Sequence, residues 1–76
     1  MKTFKVKLST IEEVKQFVTA ATMFDGDIDL KSGRYVVDAK SIMGIFSLDL
    51  SKPIKVQVHA DDASEFMAGI DSFIVK

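Results

Sequence analysis

The apolar residues of this chain switch repeatedly between a two-residue and a three-to-four-residue period, and a capping or turn residue stands at each switch. Phe4, Val6 and Leu8 alternate with Lys5 and Lys7, the period of a half-buried strand with a lysine-coated outer face. Ser9 or Thr10 then offers an N-cap, and Glu12 or Glu13 three residues on completes a capping box. Ile11, Val14, Phe17, Val18 and Ala21 recur at helical spacing, which predicts a first helix from about Ile11 to about Met23. Asp25-Gly26 ends it. Ile28 and Leu30 alternate with Asp27, Asp29 and Lys31, Ser32-Gly33 is a turn signal, and Tyr35, Val36 and Val37 are strong strand formers, so a hairpin follows.

Ser41 reads as the N-cap of a short helix over roughly Ile42 to Leu48, and Pro53 opens the next element. There Ile54, Val56 and Val58 face one way, and Lys55, Gln57 and His59 face the other. Asp62 with Glu65 makes a second capping box, and Phe66, Met67, Ile70, Phe73 and Ile74 mark the stripe of a last helix. The predicted order is βαββαβα. No linker or repeat interrupts it, so residues 1–76 read as a single domain. Four half-buried strands must cover their apolar face with the helices, which gives an α+β open-faced sandwich: a four-stranded antiparallel sheet with three helices on one face. The opposite face, with Lys5, Lys7, Asp27, Asp29, Lys55 and Gln57, should stay wet.

Composition narrows what such a domain can do. A chain of 76 residues buries only about 60% of the surface its unfolded form exposes. It has no cysteine, so neither a disulfide nor a thiolate metal site supports it. Ten Lys plus Arg against eleven Asp plus Glu leave a net charge of -1, and no field favours nucleic acid or an anionic membrane. The alternating N-terminus, Met1-Lys2-Thr3-Phe4-Lys5-Val6-Lys7, fits neither a signal peptide nor a membrane span, and a cytoplasmic protein is expected.

The run Lys40-Ser41-Ile42-Met43-Gly44-Ile45-Phe46-Ser47-Leu48 closely resembles a signature of HPr, the histidine-containing phosphocarrier of the bacterial sugar phosphotransferase system. The element order extends the resemblance over almost the whole chain. In that family the loop between strand one and helix one carries a Gly-x-His-x-Arg-Pro-type motif, whose imidazole takes a phosphoryl group from enzyme I and passes it to a permease component. The corresponding stretch here, Leu8-Ser9-Thr10-Ile11-Glu12-Glu13, contains no His, Arg or Pro. The chemistry needs a nitrogen nucleophile, a cation and helix-start donors, and two glutamates oppose an incoming phosphoryl group. Phosphocarrier activity by that route is not expected, and the chain carries no catalytic residue on this reading.

The resemblance implies a different role for Ser41. In low-GC Gram-positive members the serine of the Lys-Ser-Ile-Met-Gly run is modified by HPr kinase/phosphorylase, and that position is Ser41 here. A phosphate there would meet the free N–H groups of a helix start, worth about 0.3–1 kcal/mol, with Lys40 alongside. A plain serine N-cap contributes about 1 kcal/mol with no modification at all. Ile42, Met43 and Phe46 cannot all point inward with Ile45 and Leu48, because a short helix has one inward stripe. Equivalents of these residues in HPr and its catabolite-repression relatives dock enzyme I, the kinase and a transcriptional repressor. The expected partner-binding set is therefore Lys40, Ile42, Met43 and Phe46 beside Ser41.

Other features are weaker. His59, the only histidine, should be a solvated residue at a strand terminus, with Asp61 and Asp62 just beyond to oppose phosphate. Asp25, Asp27 and Asp29 imitate the start of a calcium loop, but Leu30 stands where Gly is required and Val36 where a bidentate Glu is. Arg34 reads as a strand-edge charge. No motif for a metal, nucleotide cofactor or hydrolytic triad is present. The leading expectation is a non-enzymatic, HPr-like protein, regulatory or partner-docking, that works through Ser41 and its adjoining apolar helix. Two alternatives stay open: an atypical phosphocarrier using His59 or another acceptor, and a scaffold reused for small-molecule binding or oligomerisation through its sheet face.

Overall fold

The computed structural model describes residues 1–75. Strand β1 (Lys2–Val6) leads into helix α1 (Ile11–Met23), the hairpin β2 (Asp27–Ser32) and β3 (Tyr35–Asp38), helix α2 (Ile42–Phe46), strand β4 (Ile54–His59) and helix α3 (Ser64–Gly69). A 3-10 turn, Asp71–Phe73, follows α3. The sheet order is β1-β4-β2-β3, and every pairing is antiparallel. This is the expected α+β sandwich, a four-stranded sheet with three helices.

Alternation decides the faces. Val6, Ile28, Leu30, Ile54, Val56 and Val58 are all buried, while Lys5, Asp27, Lys55 and His59 between them are exposed. Val14, Phe17 and Ala21 of α1, Ile45 of α2 and Phe66 of α3 cover that apolar face. The Phe66 ring lies at the centre of an aromatic group, with its centroid 5.6 Å from Phe17, 5.8 Å from Phe24 and 6.4 Å from Phe4. Burying one such ring contributes about 1.5–3 kcal/mol.

The β2–β3 hairpin closes through Gly33-Arg34. Gly33 has φ of +59°, and among the described residues no non-glycine residue has positive φ. Positive φ at the first loop position alone is the II′ pattern that matches the strand twist. Arg34 thus sits in the turn itself and not on a strand edge.

Four sequence expectations need correction. Helical spacing puts Ile11 on the apolar stripe of α1, yet it is exposed, because it occupies the first helical position and the core begins at Val14. Helix α2 stops at Phe46, where the Ser47 hydroxyl bonds back to the Gly44 carbonyl at 2.6 Å; Leu48 is buried in the following turn. No capping box forms between Asp62 and Glu65. Ala63 is the N-cap of α3, and the Asp62 carboxylate instead accepts from the Ser64 amide at 2.9 Å and from the Ser64 hydroxyl. The last helix also breaks at Gly69, a poor helix former, so that Phe73 reaches the core from a 3-10 turn.

That break has a consequence for the sheet edge. After Phe73 the chain lies antiparallel along β1: Lys7 N donates to Phe73 O, Val75 N donates to Lys5 O, both at 2.9 Å, and Val6 bridges to Ile74. The edge of β1 is thereby paired.

Candidate functional site

The starts of α1 and α2 share a hydroxyl N-cap that accepts from the third helical amide, and α1 alone adds a carboxylate to it. At α1, Thr10 is an extended N-cap whose Oγ1 accepts from Glu13 N at 3.1 Å. Glu13 Oε1 in turn accepts from Ser9 N at 2.8 Å and from Thr10 N at 3.0 Å. The two backbone amides just ahead of the helix are thus held by a carboxylate from within it, which also sets negative charge where an anion would approach the helix start. Leu8 just before them is fully buried, and Lys7 Nζ reaches across to the Leu50 carbonyl at 2.9 Å. The link from β1 to α1 is short and tied at both ends.

At α2, Ser41 Oγ accepts from Gly44 N at 3.2 Å, and the hydroxyl lies on an exposed residue. The turn before it is set by Asp38, whose Oδ1 accepts from Lys40 N at 2.8 Å and whose carbonyl accepts from Ser41 N at 3.0 Å. Asp38 was not singled out from sequence; the Asp-x-x-Ser spacing of an Asx turn was the available signal. Its carboxylate places a negative charge in the same turn as Ser41.

The expected partner-binding residues separate on the α2 surface. Ile45 is buried and Ile42 is half-buried against the core, while Met43 is 77% exposed and Phe46 40% exposed. Lys40 is exposed one residue before the cap. Ser41, Lys40, Met43 and Phe46 are thus all exposed on α2 or just before it, while Ile42 is half-buried. A Cβ on Gly44 would lie 3.3 Å from Val37 Cβ and 3.1 Å from Ser41 Oγ, tighter than an ordinary contact, so a larger residue would press α2 against β3.

His59 is exposed at the end of β4, as expected, but the acidic neighbour that touches it is Asp29 and not Asp61 or Asp62. Its Nε2 lies 2.8 Å from Asp29 Oδ2. Asp27 stands directly opposite His59 in the register, and Asp29 is the diagonal neighbour on the same outer face. Sequence distance hid this pair, since it depends on the β2–β4 register. The carboxylates of the calcium-like run are spread along a turn and a strand, and no group of three or more metal-binding side chains gathers among the described residues.

Comparison with known proteins places this geometry in a family. The family model for the phosphorylation site of the phosphotransferase HPr component matches residues 12–76. The chain belongs to the HPr family. Two solved HPr structures are similar to it. The crystal structure of HPr-C-His from Thermoanaerobacter tengcongensis shares 28% identity with a TM-score of 0.78, over 95% of this chain and 89% of that one. The phosphocarrier protein HPr from Bacillus anthracis str. Ames also shares 28% identity, with a TM-score of 0.71 over 97% of this chain and 94% of that one. HPr proteins are phosphocarriers that interact with partner proteins of the phosphotransferase system, and relationship to them is established for this chain. None of the helices among the described residues is long and apolar enough to cross a membrane.

Proposed function

We propose that this protein is a non-enzymatic, cytoplasmic HPr-like regulator that docks to partner proteins through Ser41 and the helix it caps, and that it takes no phosphoryl group on histidine. One contrast carries the reading. The Ser9 and Thr10 amides ahead of α1 are held by the Glu13 carboxylate, whereas the Ser41 hydroxyl at the start of α2 is on an exposed residue near exposed Met43 and Phe46. His59, the only histidine, has its Nε2 against a carboxylate, a poor surrounding for an incoming phosphate.

By resemblance, Ser41 is the residue that HPr kinase/phosphorylase modifies. A phosphate there adds about -1.5 to -2 charges and strong acceptor oxygens next to Gly44 N and Lys40, while Asp38 in the same turn opposes it. The expected result is a changed electrostatic surface around a fixed apolar contact made by Met43, Phe46 and the edge of Ile42. Enzyme I, the kinase and a catabolite repressor are the partners this surface would meet.

The test is to incubate the protein with HPr kinase/phosphorylase and ATP, map any phosphate by mass spectrometry, and measure binding to the repressor and to enzyme I. Phosphoserine at position 41, with binding weakened by Met43→Ser, is the expected result. No modification combined with no binding to either partner would remove the regulatory reading. An acid-labile phosphoprotein formed from phosphoenolpyruvate and enzyme I would replace it with a carrier function.

A further inference from the structure

Strand register brings three lysines into one row on the face of the sheet that carries no helices. Lys5 on β1 pairs directly with Lys55 on β4, and Lys55 pairs directly with Lys31 on β2. Each is flanked in its own strand by a buried residue, Val6, Ile54 and Leu30 respectively, so alternation turns all three outward. Adjacent strands lie about 4.8 Å apart, so three cationic stems share a line roughly 10 Å long. Like charges directly opposite one another across strands destabilise a sheet.

None of the three ammonium groups has a carboxylate within ion-pair distance among the described residues. Asp29, two positions before Lys31 on the same strand, is engaged with His59 instead. The next row along the same face holds Thr3 and Gln57 together with Asp29 and Asp38, so carboxylates border the lysine row on that side.

We propose that the Lys5–Lys55–Lys31 row binds a linear oligophosphate, triphosphate or longer, lying across the strands. The row offers point charges in a line, without the planar fork that arginine would present to a carboxylate. Its rows carry no aromatic side chain on which a nucleobase could stack, so recognition is by charge spaced along a chain. Ligand bound here lies on the opposite side of the sheet from α2. The site is therefore independent of Ser41, and its success or failure leaves the docking reading untouched.

Sodium tripolyphosphate titrated into the 15N-labelled protein at low ionic strength tests the assignment. Amide shifts should saturate and map to β1, β4 and β2 around the three lysines, and the melting temperature should rise with ligand. Lys55→Gln should melt no lower than the parent in the absence of ligand, because repulsion is relieved, yet bind about tenfold more weakly. Lys15→Gln, on α1, should bind like the parent. The proposal is overturned by the absence of a saturable shift, by a shift map centred on the helices, or by unchanged affinity in Lys55→Gln. Equal affinity for monophosphate, or tighter binding of oligoglutamate on the same lysines, would overturn the ligand class.

Discussion

Glu13 and Thr10 each satisfy the other's backbone: Thr10 Oγ1 accepts from Glu13 N at 3.1 Å, and Glu13 Oε1 accepts from Thr10 N at 3.0 Å. The same Oε1 also holds Ser9 N at 2.8 Å. Glu13→Ala leaves the Ser9 and Thr10 amides without this acceptor and should lower stability by about 0.5–2 kcal/mol, read as a shift of the urea midpoint at constant m-value. Glu13→Gln keeps an acceptor oxygen but loses the charge at the helix start, so its loss should be smaller. Equal losses in the two variants would show that carboxylate charge, and not bond formation, dominates the cap.

At Ser41 the structural and regulatory roles are separable. Ser41→Ala removes the acceptor for Gly44 N and should cost about 1 kcal/mol, while Ser41→Asp keeps a capping oxygen and should remain within a few tenths of the parent. Both variants lose the phosphorylatable hydroxyl. Denaturant melts of the two therefore measure the cap, and kinase labelling measures the switch.

Much of this arrangement is legible in sequence because it is local. The 13-residue span of α1, a hydroxyl cap at Ser9 or Thr10 and both faces of β4 follow from spacing between neighbours; the structure has the span and the faces, and settles the cap on Thr10. Long-range pairing is what spacing misses. The Asp29–His59 contact and the lysine row both depend on which strands lie side by side, and the sheet order β1-β4-β2-β3 is not the order of the chain. The Asp62 error has another cause: the Ser64 amide and hydroxyl are nearer donors than a capping box would supply, and they take the carboxylate first.

Gly44 sets two opposing effects against each other. Alanine in a helix gains roughly 0.5–1 kcal/mol over glycine, but the new Cβ would sit 3.3 Å from Val37 Cβ on β3. Val37 Cβ is fixed by its backbone and cannot swing away, so the crowding should win and Gly44→Ala should be destabilised by about 1 kcal/mol net. Val37→Ala retains the obstructing atom and should not rescue the variant. Thermal melts of the two single variants and the double variant check this through their coupling.

The C-terminal pairing on β1 is held in part by Val75 N on Lys5 O. Val75→Pro removes that donor and should cost about 1 kcal/mol. Fraying of the segment would also weaken the adjacent bond from Lys7 N to Phe73 O, so hydrogen exchange at the Lys7 amide should speed up more than exchange within β4. Unchanged protection at Lys7 would mean that Phe73 is anchored by its buried ring alone.

Acid should probe the start of α3. The Ser64 hydroxyl and amide, in that order, hold the Asp62 carboxyl below the ordinary aspartate value, with a small further contribution from Lys2. A carboxyl whose folded value is depressed binds fewer protons when folded than when unfolded. Its stabilising contribution is therefore fully present above the ordinary aspartate value of about 3.9 and is lost as pH falls through the lower folded value. Asp49 behaves in the same direction through the Ser51 hydroxyl and amide, so the two loops should weaken together in that range. Ser64→Ala removes the largest cause at Asp62 and leaves Asp49 alone. Carboxyl-carbon NMR titration should show Asp62 moving up toward the ordinary value in that variant while Asp49 stays depressed. If Asp62 does not move, the Ser64 amide, and not its hydroxyl, holds the carboxylate, and Asp62 remains anchored at the mouth of α3 without the side chain.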